Sequence, residues 1–230
     1  MFTNLNEVLS VPVPDQTDSY VPVSNRHLID SVKNQLSSNG LSVSNEQYEL
    51  SKNGLQMFGS MSISNSNNDA NAVMVKEFGF RNSYDKSLPV GFVSGSKVLV
   101  CSNLMFRGDI ILMRKHTLNV YEDFEKLLTQ AVSGINTQYD SIQEEYEKMN
   151  RIQVSDTHAA HLTGEMYFKN KIKDTHVSII RKEWNETYTN KTAWDFCQCT
   201  TEALKKHSVR NGMNMITQSY NYLIQHFNLN

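Results

Sequence analysis

The chain has 230 residues, 39% hydrophobic and 10% aromatic, which is enough to bury one large core or two small ones. Its net charge of −2 excludes a protein coated in basic residues, and no apolar run approaches the roughly 18 to 20 residues that span a bilayer. The start "MFTNLNEVLSVPVPDQ" lacks a basic segment followed by an apolar one, and three cysteines (Cys101, Cys197, Cys199) leave at least one unpaired, so reduced thiols in a cytoplasm are expected.

All four prolines (Pro12, Pro14, Pro22, Pro89) precede residue 90, whereas the pattern after residue 118 is helical nearly throughout. An α+β fold is therefore predicted: an N-terminal, mainly antiparallel sheet with one early helix, and a C-terminal helical half packing on it. The sheet-rich region is placed at 1–118 and the helical region at 119–230, together forming one cooperative domain. "SYVPV" is extended, and Ser24 then caps a helix whose Leu28, Ile29, Val32 and Leu36 share one face, stopped by Gly40. "LSVSNEQYELSKNGLQMFGSMSIS" alternates with period two on either side of Asn53-Gly54, a strong hairpin signal. After a polar stretch "NSNNDANA" (65–72), expected to be a mobile loop, strands are predicted at 73–80 and 95–103. "LPVGFVSG" lies between them as a turn or short strand, and a further strand is placed at 109–115.

From Val120 apolar residues recur at helical spacing for more than thirty positions, predicting one long amphipathic helix eased at Gly134 and capped by Thr117 or Asn119. Further helices follow, with Ser155 and Thr192 as caps and Trp184 and Trp194 as core anchors. Charge is uneven along the chain: Lys/Arg against Asp/Glu number 7 to 9 over 1–100, 5 to 8 over 101–150 and 10 to 7 over 151–230. The last third is thus positive, which phosphate binding requires only locally.

Three polar clusters stand among the apolar runs: "FRNSYDKS" with Arg81, Asn82, Ser83, Tyr84, Asp85 and Lys86; "CSN" with Cys101 and Asn103; and "RKHT" with Arg114, Lys115 and His116. Two readings stand for the first. Arg81, Lys86 and Asp85 would hold a phosphate or orient a water while Tyr84 stacks on a base. Alternatively, Asn82, Ser83 and Asp85 bond their own backbone in a turn and Arg81 pairs with Asp85. Co-occurrence with the other clusters favours a ligand or nucleic-acid site at one sheet edge, with Arg81, Asp85 and Arg114 meeting and His116 titrating near neutral pH.

A basic run, "KNKIKDTHVSIIRK" (169–182), begins just after Tyr167 and Phe168 and, with Lys205, Lys206 and Arg210, would line a nucleic-acid groove or form an ordinary charged helix surface. His158 and His161 ("HAAH") would be half of a metal site, but no second Glu-x-x-His and no H-E-x-x-H accompanies them, so no metal is expected. Phosphate-loop, nucleophile-elbow and catalytic-cysteine signatures are absent, and the pair Asp85 and Lys86 lacks the further carboxylates of two-metal hydrolysis. No catalytic residue and no cofactor are expected.

The order "YVPVSN", "YELSKNGLQMFGSMSI", "GFRNSYDKS", "KVLVCSNLMF", "RKHT" and "TAWDFCQCTTEALK" resembles the phage/plasmid-like family of unknown function, over about residues 18 to 210. The resemblance implies a mobile-element setting in a bacterial host cytoplasm. Asn82, Ser83, Asp85, Cys101, Asn103, Arg114, His116 and Thr117 match its pattern, and it carries no assigned role for any of them. The function expected is a non-enzymatic phage nucleic-acid-binding accessory protein in replication or recombination, such as a single-strand annealing protein that self-associates on single-stranded DNA or RNA. The alternative is a counter-defence protein that binds a host immune protein or sequesters a nucleotide signal.

Overall fold

The alternating residues on either side of Lys52-Asn53-Gly54 form a hairpin, and all three turn residues take positive φ (49°, 56° and 88°), as a tight connection between twisted strands demands. Its arms are β1 (Ser42–Ser51) and β2 (Gln56–Ser64), antiparallel from Ser51↔Gln56 to Ser42↔Ser64 with a bulge between Val43 and Asn45. β2 pairs in turn with β3 (Met74–Ser83), from Gln56↔Ser83 to Ile63↔Lys76. The computed structural model describes residues 3–64, 74–98, 103–106, 112–204 and 209–229, with backbone alone for 97–98, 103–106 and 209–214. The predicted loop at 65–72, Cys101 and Lys205 and Lys206 lie outside the described residues.

β4 runs Val90–Val98 beside β3, so the segment read as a turn or short strand is itself the strand, and the predicted strand over 95–103 is displaced toward the N-terminus. The two glycines in "VGFVSG" hid it. Gly91 fits closely under Arg81, which crosses it from β3: a Cβ there would lie 3.2 Å from Arg81 Nε and 3.3 Å from Met113 Cγ, tight enough that these side chains would have to shift by a few tenths of an ångström. β5 is Asn103–Phe106, and β6 (Leu112–Arg114) pairs antiparallel with β4 through Val90↔Arg114, Gly91↔Met113 and Phe92↔Leu112.

The chain divides into two compact units, residues 1–97 with 109–138 and residues 98–108 with 139–230. In the first, α1 (Leu5–Ser10) is a short helix absent from the sequence reading, capped by Asn4, whose side chain accepts the Glu7 N–H at 3.0 Å. α2 (Asn25–Ser38) begins at the predicted cap: Ser24 Oγ accepts the His27 N–H at 3.1 Å, and Leu28, Ile29, Val32 and Leu36 are buried. The single long helix is in fact two, α3 (Val120–Ser133) and α4 (Ile135–Asn150), interrupted at Gly134. Asn119 precedes α3 without a side-chain cap, and Thr117 contributes its carbonyl, which accepts the Val120 N–H at 2.8 Å. One face of the sheet meets α2 and α3 through a file of rings, Phe78 to Phe92 (6.1 Å between centroids) and Phe92 to Phe124 (5.8 Å).

The second unit is helical, with α5 (Asp156–Phe168), α6 (Asp174–Glu186), α7 (Ala193–Leu204) and α8 (Val209–His226) following the greater part of α4. α7 is buried on nearly every side and is its central element, which explains the apolar and small character of "AWDFCQCTTEAL". Its start is a reciprocal cap: Thr192 Oγ1 accepts the Asp195 N–H (3.2 Å) while Asp195 Oδ2 accepts the Thr192 N–H (3.0 Å). Ser155 caps α5 as predicted, accepting the His158 N–H at 3.2 Å. Cys197 and Cys199 are free and buried; burial pushes the Cys197 thiol up to about 12 and the Cys199 thiol up as well, so neither is a nucleophile at neutral pH. Among the described residues no helix is long and apolar enough to cross a membrane.

Candidate functional site

The end of β3 carries "FRNSYDKS" onto the segment before α2, and the motifs meet there residue by residue. Asn82, fully buried, donates from Nδ2 to the Val23 carbonyl (2.7 Å) and to Asn25 Oδ1 (2.8 Å). The Asn25 N–H in turn donates to the buried Tyr84 hydroxyl (2.8 Å), whose ionisation burial opposes. Ser83 Oγ accepts the Leu88 N–H (3.0 Å) and donates to the Leu88 carbonyl (2.8 Å), closing the turn over 84–89. Tyr20 links this cluster to "RKHT": its ring lies 4.6 Å beneath Lys86 Nζ and 5.5 Å from the His116 ring, and the Val21 N–H donates to the His116 carbonyl at 3.1 Å. "YVPVSN", "FRNSYDKS" and "RKHT" are therefore three sides of one junction that ties the early segment to the end of the sheet.

Asp85 faces the β1–β2 hairpin rather than Arg81. Its carboxylate accepts from Lys52 Nζ (3.1 Å), Gln56 Nε2 (3.2 Å) and the Ser87 N–H (3.0 Å), besides the Ser87 hydroxyl. Burial alone would raise the carboxyl, but the two Ser87 hydrogen bonds and then Lys52 outweigh it and hold Asp85 down at about 2. With the folded value below the ordinary 3.8, this stabilisation is fully present above about pH 4 and is lost as pH falls through about 2. Asp85→Asn is expected to cost about 2 kcal/mol at pH 7, with the gap to the unmodified protein shrinking well below 1 kcal/mol at pH 2. Urea titrations at the two pH values check it, and a gap that does not depend on pH would contradict it.

Arg81 and Arg114 leave the junction in different directions. Arg81 lies across Gly91 with Nη2 2.7 Å from Met113 Sδ. Arg114, one residue on and so on the opposite face of β6, pairs through Nε with Asp123 Oδ2 of α3 at 2.8 Å. The structure thus does not bring Arg81, Asp85 and Arg114 to one point. His116 is only 6% exposed, neither ring nitrogen has a hydrogen-bond partner among the described residues, and burial lowers its affinity for a proton. It is neutral at pH 7 and supplies no positive charge. Lys86 and Lys115 are the exposed cations of the set, and the Asn103 side chain lies outside the description. Sequence reasoning missed Tyr20, Asn25, Lys52 and Gln56, whose only signal was the position of two of them in or beside "YVPVSN".

The second unit presents a different surface. α5 ends in two exposed rings, Tyr167 at 43% and Phe168 at 84% exposure, packed edge to face at 5.9 Å. Residues 167–182 then hold five cations (Lys169, Lys171, Lys173, Arg181, Lys182) against one acid, Asp174. Tyr167 also borders a groove of about 630 Å³ between α5 and α6, floored by Ala159, Ala160 and Gly164 and walled by Ile180 and Trp184. Trp184 is fixed there by its indole N–H, which donates to Asp156 Oδ1 at 2.8 Å. Lys169 is engaged with Glu165 and lies 4.9 Å from the Tyr222 ring, whereas Arg181 has no ion pair among the described residues. No group of three or more His, Cys, Asp or Glu side chains suited to a metal occurs among the described residues.

A family model described as Domain of unknown function (DUF932) matches residues 15–222. The chain belongs to this family. Neither curated proteins nor solved structures provide a match. The DUF932 match takes in both compact units, from the junction around Tyr20, Asn82 and His116 to the aromatic and basic edge after α5.

Proposed function

We propose that this DUF932 chain is a non-enzymatic nucleic-acid-binding accessory protein of a bacteriophage or related mobile element, acting in replication or recombination, with single-strand annealing as the narrower form of the reading. The observation that carries it is Phe168, 84% exposed at the end of α5, closely followed by Lys171 and Lys173 and by Arg181 farther along the same basic run. An exposed ring costs solvation, and a ring beside a run of cations is the arrangement that stacks a base while the cations track the phosphates. Single-stranded nucleic acid suits it best, since its bases are free to splay onto a ring. The mobile-element setting comes from the resemblance of the ordered motifs. Lys86 and Lys115 at the junction are candidates for further phosphate contacts.

Fluorescence anisotropy with labelled single-stranded and double-stranded oligonucleotides tests the reading. Three or four phosphate contacts predict that affinity for the single strand falls roughly 20- to 50-fold between about 50 and 200 mM salt. Phe168→Ala is expected to weaken binding at least about 5-fold at either salt, leaving the salt slope unchanged, because stacking carries no charge. Absence of binding at low salt, or binding indifferent to salt, would sink it. A nucleotide released from the purified protein and identified by mass spectrometry would instead favour the counter-defence reading.

A further inference from the structure

α5 and α8 each direct an imidazole at the other. His158 stands in the first turn of α5, His226 is the last residue of α8, and their Nε2 atoms lie 3.2 Å apart, with ring centroids at 5.4 Å. Phe227 stands edge-on to both rings, at 6.0 Å from His158 and 5.0 Å from His226, and Tyr222 lies against His226 at 6.3 Å. The pair is half-buried, with one apolar side.

We propose that His158 and His226 form a two-histidine site for a divalent transition-metal ion of the zinc class, with the remaining positions taken by water. Bonds of about 2.0 to 2.1 Å to two imidazole nitrogens at a tetrahedral ion separate those nitrogens by about 3.3 Å, which the pair already matches. Imidazole suits Zn²⁺, Ni²⁺, Cu²⁺ and Co²⁺ and is a poor ligand for Mg²⁺ or Ca²⁺, which sets the class of ion. The groups facing the pair are His161 and Glu165 on α5, one and two turns along the same face, Lys169 beyond them, and Tyr222 on α8. Glu165 is engaged in its ion pair with Lys169, which leaves imidazoles as the ligands of the set, and His158 and His226 are the two whose nitrogens already lie at bridging distance. An ion there would clasp the start of α5 to the end of α8, two elements distant in sequence but within one compact unit.

Isothermal titration of chelator-stripped full chain with zinc chloride at pH 7.5 tests this. Saturation near one equivalent is expected, together with a rise in Tm of roughly 5 °C when zinc is about 100-fold above its dissociation constant. His158→Ala and His226→Ala should each weaken binding at least about 10-fold. Because His226→Ala removes a ring packed on Phe227, His158→Ala is the deciding variant if the other unfolds, and Co²⁺ substitution supplies a second measurement through visible absorption that His158→Ala abolishes. No saturable binding, or one-equivalent binding that survives both substitutions, overturns the proposal and leaves a hydrogen-bonded pair of rings.

Discussion

Phe124→Ala is expected to cost about 3 to 5 kcal/mol of folding stability, the usual range for emptying a buried phenylalanine site. Phe124 is fully buried, and its ring meets Phe92 at 5.8 Å and His27 at 5.5 Å, so its removal opens a gap bounded by a strand and two helices at once. None of these walls closes easily. β4 is held between its neighbours by main-chain hydrogen bonds, and Ser94 donates to the Ala131 carbonyl of α3 at 3.0 Å, fixing the helix against the strand. α3 also brings Asp123 to Arg114 and Tyr121 to the Pro22 carbonyl (3.0 Å), so loosening it slackens the junction as well. Phe124→Leu, which restores most of the volume, should recover the larger part of the loss. Urea denaturation followed by far-ultraviolet circular dichroism measures both variants. A loss under about 1 kcal/mol for Phe124→Ala would show that the file of rings is not the centre of this core.

What could be read from the sequence was local. Ser24, Ser155 and Thr192 cap helices because an N-cap depends on a side chain and an N–H two or three residues on. The Asn53-Gly54 hairpin was legible for the same reason, since positive φ is a property of the turn residues themselves. Features set by distant partners were not. β4 looked broken at Gly91, yet the strand runs through that glycine, with Arg81 of the neighbouring strand packed closely across it. Gly134, read as easing one helix, separates two. The polar clusters were found as clusters, but Asn82 and Asn25 are 57 residues apart and His158 and His226 are 68 apart, so no spacing rule joins either pair. Pairing Asp85 with Arg81, four residues away, was the local guess; the partner is Lys52, 33 residues away across the hairpin.

Asn82→Ala is the second substitution with a large expected effect, about 2 to 4 kcal/mol, and its cause is polar rather than apolar. The amide feeds two buried acceptors, the Val23 carbonyl and Asn25 Oδ1, and alanine leaves both without a donor in a place water does not reach. Asn25 is itself a relay, since its N–H donates to the Tyr84 hydroxyl and its amide to the Val8 carbonyl (3.4 Å), so the damage extends to α1. Asn82→Asp should be at least as costly at pH 7, because it replaces the donor with a third acceptor. Tyr84→Phe removes only the acceptor of the Asn25 N–H and is expected to cost about 1 kcal/mol. In the double variant the two losses should fall short of their sum by about 0.5 kcal/mol or more, since both act through Asn25. Strict additivity would mean that Asn82 and Tyr84 stabilise separate structures and that the three motifs form no common junction. The same variants bear on function: with Asn82 fully buried, oligonucleotide affinity measured well below the unfolding temperature should change less than about 3-fold in Asn82→Ala, whereas Phe168→Ala should lower it with little change in stability. The reverse pattern would move the interface from the end of α5 to the junction and make "FRNSYDKS" a binding element rather than a latch.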